Sequence, residues 1–296
     1  MVQIITDSTS DLSKARQEAL GVEVAPLSVH FGEESFLDGV DLTNEAFYVR
    51  LRAAQALPTT AQVNPEEFVR RFQAHRDRGD DVVALFIASK LSGTCQSAII
   101  AREMVDPDHI FVIDSDTVTF GLGLLVEMAA RLRDQGLSAR EIAEELERLK
   151  ARQRFYAVVE TLKYLKMGGR ISGAAAVVGG MLGITPILDI RDGVVQAAGK
   201  ARGRKAAYQW MEKKIAAEPV DTSLPVSFGH ADAPQIMAEC EAYFQARIPG
   251  MEVLESSIGP VVGTHAGPGC AGFSYFVKES SRPQARRAGR AGRRSC

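Results

Sequence analysis

The chain has 296 residues, 46% of them hydrophobic and 24% charged, a balance that belongs to a globular protein and excludes a disordered or fibrous one. A chain of this length buries roughly 70–75% of its extended surface, so a core with room for a cavity forms without disulfides or metals. The formal net charge of −2 excludes a bulk electrostatic attraction to nucleic acid or anionic lipid, since both need a strong positive field.

The N-terminal half alternates strand and helix patterns. Val2–Ile5 predicts a strand, followed by a helix that ends at Gly21, and Val22–Val29 predicts a second strand. An amphipathic helix starts at Asn44, and Asn64 with Pro65 opens another. Val82–Ala88 is strand-like, a helix follows Gly93, and His109–Ile113 is again strand-like. Helices cover Phe120–Asp134 and Ala139–Arg152, the second opened by Ser138 and Glu141 as a capping box. Strands that alternate with helices imply a parallel sheet wrapped by helices.

The second half changes character. Phe155–Glu160 is strand-like, a Gly- and Ala-rich stretch runs from Gly168 to Gly183, and a hairpin turns at Asp192-Gly193. A helix over Lys205–Ala217, a strand at Val226–His230, a helix from Pro234 and two terminal strand-like runs complete it. The expected architecture is two α/β domains: residues 1–154 around a parallel sheet, and residues 155–279 with an antiparallel contribution. The boundary falls near Arg152–Arg154. Residues 280–296 carry six arginines between Arg282 and Arg294 and no acid, which predicts a disordered basic tail.

Cys95, Cys240, Cys270 and Cys296 are scattered without a CxxC pair, so neither a disulfide framework nor a zinc site is expected, and no two histidines share metal-ligand spacing. No signal-peptide pattern is present and no apolar run approaches the roughly 20 residues that span a bilayer, so a cytoplasmic location is expected.

Several segments have residue types suited to chemistry. Thr6-Asp7-Ser8-Thr9-Ser10-Asp11-Leu12 follows the first strand, where open α/β sheets bind ligands, but Asp7 lacks the second acid of an aspartyl phosphotransferase. Helix capping and turn closure are its plainer role. Pro58-Thr59-Thr60-Ala61-Gln62 and Ser89-Lys90-Leu91-Ser92-Gly93-Thr94 both stand at strand-to-helix transitions. On one edge, Thr60 and Ser92 would present two hydroxyls to an anion such as a carboxylate.

Ser92 lacks the first glycine of a hydrolase elbow, and its only available base is the distant His265, so hydrolysis is disfavoured but stays open. Arg170, after Gly168-Gly169, offers a planar cation for carboxylate or phosphate, and Lys200, Arg202, Arg204 and Lys205 form a second basic cluster. Gly267, Gly269 and Gly272 fit a GxGxxG spacing, but no helix and no acid follow, so dinucleotide binding is rejected.

The chain resembles the DegV family of bacterial fatty-acid-binding proteins. The resemblance rests on TDSTSDL at 6–12, PTTAQ at 58–62, SKLSGTCQSA at 89–98, VIDS at 112–115 and LKYLKMGGRIS at 162–172. HADAP at 230–234 and IGPVVGTHAGPGC at 258–270 extend it to about Lys278, in order.

The resemblance implies a carrier without turnover, not an enzyme, that holds a long-chain fatty acid such as palmitate or stearate in a buried apolar tunnel. A separate fatty acid kinase subunit would then make the acyl phosphate for phospholipid synthesis. It implies carboxylate contacts from Thr60, Ser92 and His265, support from Gly93 and Thr264, and Arg170 at the mouth and kinase-facing surface. It also implies no cofactor and at most transient contact with a membrane surface.

Three departures stand out. Ala61 replaces a hydroxyl residue common in the family motif, Thr185 stands where lysine is common, and the arginine tail has no counterpart. Burial of ~14 methylenes at ~0.8 kcal/mol each contributes on the order of 11 kcal/mol gross, before ordering costs. The alternative is an acyl-ester hydrolase or phosphotransferase component using Ser92 and His265.

Overall fold

The computed structural model describes residues 1–171 and 183–279. The arginine tail, the end of the LKYLKMGGRIS motif and most of the Gly- and Ala-rich stretch lie outside the described residues. The first sheet is all parallel, in the order β2-β1-β6-β7, from β1 (Val2–Asp7), β2 (Val22–Ala25), β6 (Asp81–Phe86) and β7 (Ile110–Asp114).

Its strands are apolar on both faces, and successive side chains serve opposite cores. Ile4, Val83 and Leu85 pack with α5 (Phe120–Asp134) and α6 (Ala139–Arg152). Ile5, Val82, Ala84 and Phe86 pack instead with Phe68 and Phe72 of α3 (Pro65–Arg76) and Ala98 and Ala101 of α4 (Thr94–Val105). The Ser138–Glu141 capping box is present at the start of α6.

The strand expected over Val22–Val29 is two strands in two sheets. The β1–β2 ladder ends at Ala25, just before Pro26, which has no N–H to continue it. The chain then enters β3 (Ser28–Phe31), which pairs antiparallel with β4 (Glu34–Leu37) and β5 (Thr59–Ala61). Helix α1 (Lys14–Leu20) lies between β1 and β2, and α2 (Asn44–Ala53) between β4 and β5.

A six-stranded mixed sheet has the order β10-β9-β8-β13-β11-β12. It comprises β8 (Gln153–Val158), β9 (Ile184–Arg191), β10 (Val194–Arg202), β11 (Val226–Ala231), β12 (Val253–Ser257) and β13 (Cys270–Phe276). Only β11 and β12 pair in parallel. The β9–β10 hairpin turns at Asp192-Gly193, as its sequence predicts.

Tyr156 and Val158 face a core shared with α8 (Arg204–Ala217) and α9 (Pro234–Gln245), whereas Phe155 and Ala157 face the N-terminal half. Helix α5 fills the space between the two sheets. Only Arg131, Arg133 and Asp134 of its residues escape burial, the all-round apolar character of a helix covered on every side. Phe120 stacks on Phe155 across that junction, with ring centroids 4.4 Å apart. The fold is mixed α/β, one parallel sheet beside one largely antiparallel sheet, as the alternation of patterns requires.

Candidate ligand-binding site

A cavity of about 350 Å³ lies where the three-stranded sheet, the start of α4 and the inner face of the mixed sheet converge. Most of its wall is apolar. Phe155 and Ala157 of β8, Leu188 and Ile190 of β9, and Val195 of β10 form one side, and Leu91 and Val118 lie among the remaining lining residues. Val261, Val262, His265 and Ala266 come from α10 (Pro260–Ala266), and α7 (Lys163–Met167) leads to Arg170.

The polar residues are few: Thr60 on β5, Gln62, Ser92 and Gly93 before α4, Thr119, His265 and Arg170. Residues 60, 92, 93, 170 and 265, far apart in the chain, thus line one space.

Thr60 Oγ1 and His265 Nε2 share a hydrogen bond at 3.0 Å. Burial, helped by the nearby Arg170 cation, pushes the His265 imidazole down to about 4, so the ring is neutral at pH 7. Its Nδ1 has no partner among the described residues. Ser92 Oγ lies 3.0 Å from Thr94 Oγ1 and accepts from the Thr94 N–H. Gly93 caps α4 and lies against Gln62, whose side-chain amide donates to Ser97 Oγ; a Cβ at position 93 would fall 2.0 Å from Gln62 Oε1.

Arg170 is exposed at the rim and donates to the carbonyls of Gly168 (2.6 Å) and Leu91 (3.4 Å). Its guanidinium thus leans on backbone and pairs with no carboxylate among the described residues. The site can offer hydroxyl donors, a neutral imidazole and a positive rim to an anionic group, with an apolar wall behind.

Thr264, expected to support the carboxylate-binding residues through backbone or hydroxyl contacts, is fully buried and does not line the cavity. Its hydroxyl donates at 2.9 Å to the Pro260 carbonyl of its own helix. The final stretch, read as two strand-like runs, also contains α10, the helix that carries His265.

Five glycines between 258 and 272 concealed α10, although Pro260 in its first turn and Gly267 at its end (φ 72°) are ordinary helix limits. Gly263 is needed within it: a Cβ there would fall 2.6 Å from Tyr48 Oη and 2.7 Å from Phe47, so only glycine lets α10 lie against α2. Sequence reasoning also missed Gly168. A Cβ on it would fall 2.2 Å from His265 Nδ1, so the glycine seats the imidazole.

The TDSTSDL segment does not line this cavity. Asp7 caps a single 3₁₀ turn (Ser8–Ser10), accepting from the Thr9 N–H at 2.8 Å and from the Ile87 N–H at 2.9 Å, while Ser13 caps α1. The cluster at Lys200, Arg202, Arg204 and Lys205 also lies off the cavity, and Arg204 pairs with Glu239. Gly269 and Gly272 belong to the approach to β13 and to β13 itself, with no helix after them among the described residues, which agrees with rejecting a dinucleotide loop. Among the described residues no helix is long and apolar enough to cross a membrane.

The family profile described as "Uncharacterised protein, DegV family" matches residues 1–278. A DegV domain-containing protein of Caldanaerobacter subterraneus subsp. tengcongensis is 38% identical over 278 residues, covering 94% of this chain and 99% of its own. A second, from Deinococcus radiodurans, is 36% identical over 280 residues and covers 92% and 97%.

Among solved structures, a DegV family protein from Thermus thermophilus described as binding fatty acid superimposes with a TM-score of 0.87. It is 34% identical, covering 94% of this chain and 99% of that one. A stearic acid-binding protein from Eubacterium ventriosum superimposes with a TM-score of 0.84 at 32% identity, covering 94% and 98%. The profile spans all three sheets and every segment that supplies the cavity, and the chain belongs to the DegV family.

Proposed function

We propose that this protein is a carrier that buries the chain of a long-chain fatty acid in the cavity and holds its carboxylate at Thr60, Ser92 and His265. The observation that carries the reading is the cavity itself, an apolar chamber closed at one place by a neutral Thr60–His265 pair. Its volume of about 350 Å³ falls within the roughly 300–1,000 Å³ range of ligand pockets. Relatives described as binding fatty acid, one of them stearic acid, share the fold at more than 30% identity.

The physics suits storage. The apolar chain supplies most of the affinity, on the order of 11 kcal/mol gross for ~14 methylenes. The headgroup residues have a separate task, because a carboxylate taken out of water must be hydrogen-bonded. Hydroxyls and a neutral imidazole do so while leaving an oxygen approachable, and Arg170 at the rim supplies a cation to that opening.

On this proposal the bound acid is presented to a separate fatty acid kinase in the cytoplasm, with at most transient contact with a membrane surface. The chain then comprises two domains, 1–154 and 155–279. A hydrolase would need Ser92 bonded to His265 and His265 oriented by an acceptor. Here Ser92 bonds Thr94, His265 bonds Thr60, and Nδ1 has no partner among the described residues. Native mass spectrometry of the purified protein tests the reading: a co-purified C16–C18 acid is expected, and an empty protein that turns over acyl esters would overturn it.

A further inference from the structure

We propose that Asp11 and Asp38 are positioning residues for the carboxylate site, a pair of carboxyl groups packed around Gly259 that fixes the start of α10 and, through it, His265. The proposal rests on the fatty-acid reading for its binding assay, and on geometry alone for its spectroscopic one. It gives the TDSTSDL segment and the Asp38 turn a task, since neither contributes to the cavity wall.

Pro260 at the first position of α10 has no N–H, and the amide before it is taken by a carboxylate: Gly259 N–H donates to Asp11 Oδ1 at 2.9 Å. A Cβ on Gly259 would fall 3.0 Å from Asp11 Oδ1 and 3.1 Å from Asp38 Oδ1, so the two acids close around one backbone atom.

The residues just before the helix are held as firmly. Ser256 Oγ donates to the Asp11 carbonyl at 2.8 Å, and the Asn44 side-chain amide donates at 3.1 Å to both the carbonyl and the hydroxyl of Ser257. Tyr48 Oη donates to the Ile258 carbonyl at 2.9 Å. A seven-residue helix cannot hold itself by its own hydrogen bonds, so its position is set by what ties its ends. That position places Val261, Val262, His265 and Ala266 in the cavity and brings His265 to Thr60.

Packing alone would not select two adjacent acids here. Asp38 is 4% exposed, and the Oδ2 atoms of both residues are buried without a partner among the described residues. Apolar residues would fill the same space without the desolvation cost, whereas an acceptor aimed at the Gly259 amide, with a second carboxyl packed against the same turn, supplies direction. Burial pushes both carboxyl groups above the usual range, with the Asp38 charge adding to the rise at Asp11 and the Asp7 charge to the rise at Asp38. Asp11 also holds a left-handed backbone (φ 51°), a conformation that Asp, Asn and Gly adopt most readily.

The backbone of Asp11 makes a clean test possible. Asp11→Gly deletes the carboxylate at a φ native to glycine, and Asp11→Asn keeps an acceptor oxygen and tolerates the same φ. In the full-length protein, stearate affinity is measured by calorimetry, and the five histidines are titrated by ¹⁵N-edited NMR without ligand. Asp11→Gly is expected to fold, to raise the stearate Kd at least about tenfold, and to move the His265 titration from about 4 towards the ordinary value.

Asp11→Asn is expected to restore both readouts. Wild-type Kd and wild-type His265 titration in Asp11→Gly overturn the proposal, and so does an Asp11→Asn variant as impaired as Asp11→Gly. Asp38→Ala, which carries no such backbone constraint, gives a second trial: unchanged readouts there overturn the proposal even if Asp11→Gly does not fold. A wild-type protein that ignores stearate sinks the fatty-acid reading and leaves the His265 titration as the test of the pair.

Discussion

Removing both headgroup hydroxyls, by Thr60→Ala with Ser92→Ala, separates the polar contribution to binding from the apolar one. Thr60 lies on the three-residue strand β5, partly exposed, and its hydroxyl serves His265 Nε2 at 3.0 Å. Ser92 precedes α4, and its hydroxyl bonds only Thr94 among the described residues. Neither belongs to the apolar core. Each lost hydrogen bond to a charged acceptor costs roughly 1.5–3 kcal/mol, so the pair is expected to weaken binding by about 3–6 kcal/mol, roughly 10²–10⁴-fold in Kd.

The larger gross term of on the order of 11 kcal/mol from chain burial is untouched, so fatty acid still enters at high concentration. The unliganded protein loses only the local bonds, about 1–2 kcal/mol. Isothermal calorimetry with stearate, together with denaturant unfolding of the unliganded protein, measures both numbers. An unchanged Kd in a folded double variant refutes the assignment of Thr60 and Ser92 to the carboxylate. A loss of stability comparable to the loss of binding would mean that the hydroxyls brace the loops instead.

Arg170→Ala is expected to leave lipid content within about threefold of the parent, because an exposed cation adds little to affinity, while acyl phosphate formation with a cognate kinase and ATP falls about tenfold. Loss of lipid, or normal phosphorylation, contradicts that role. Gly168→Ala should displace the imidazole, since the added methyl would fall 2.2 Å from His265 Nδ1. The check is a stearate Kd raised by about tenfold or more with the parent's circular dichroism.

The pH dependence of stability has two opposing parts. Burial raises the folded-state Asp7 to about 6 and Asp38 to about 7 from an ordinary 3.8, so the native state holds the extra protons. Their contribution is full below about pH 4 and is lost as pH rises through about 7. His265, lowered from 6.5 to about 4, works the other way: its contribution is present above about pH 6.5 and is lost as pH falls towards 4. With Asp11 also raised, the carboxyls outnumber the imidazole, and the unliganded protein is expected to lose stability between pH 5 and 7.5. Asp38→Asn should remove part of that decline, on the order of 2–3 kcal/mol at most, in urea unfolding at a series of pH values. A variant with the parent's pH profile would contradict it.

The local sequence determined the elements whose signals are local. Helices α5 and α6 run from Phe120 to Asp134 and from Ala139 to Arg152, as the apolar spacing and the Ser138–Glu141 box require. The Asp192-Gly193 turn, the Pro65 helix start and the alternation that implies a parallel sheet were equally legible, because each depends on neighbours within a few residues. Thr60, Ser92, Gly93, Arg170 and His265 were named from motifs, and the motifs alone did not establish that they share a cavity.

Only the tertiary structure decided the rest, because the deciding interactions join distant residues. Strand β5 has three residues and no apolar pattern of its own; its pairing of Thr60 with Val29 makes it a strand. Helix α10 is short and glycine-rich, and it forms between the Asp11 acceptor at Gly259 and the close approach of Gly263 to α2. The neutrality of His265 comes from burial and a nearby cation, neither written in its flanking residues. The Thr264 hydroxyl could not be assigned from composition, since one turn of helix decides whether it faces the cavity or its own backbone.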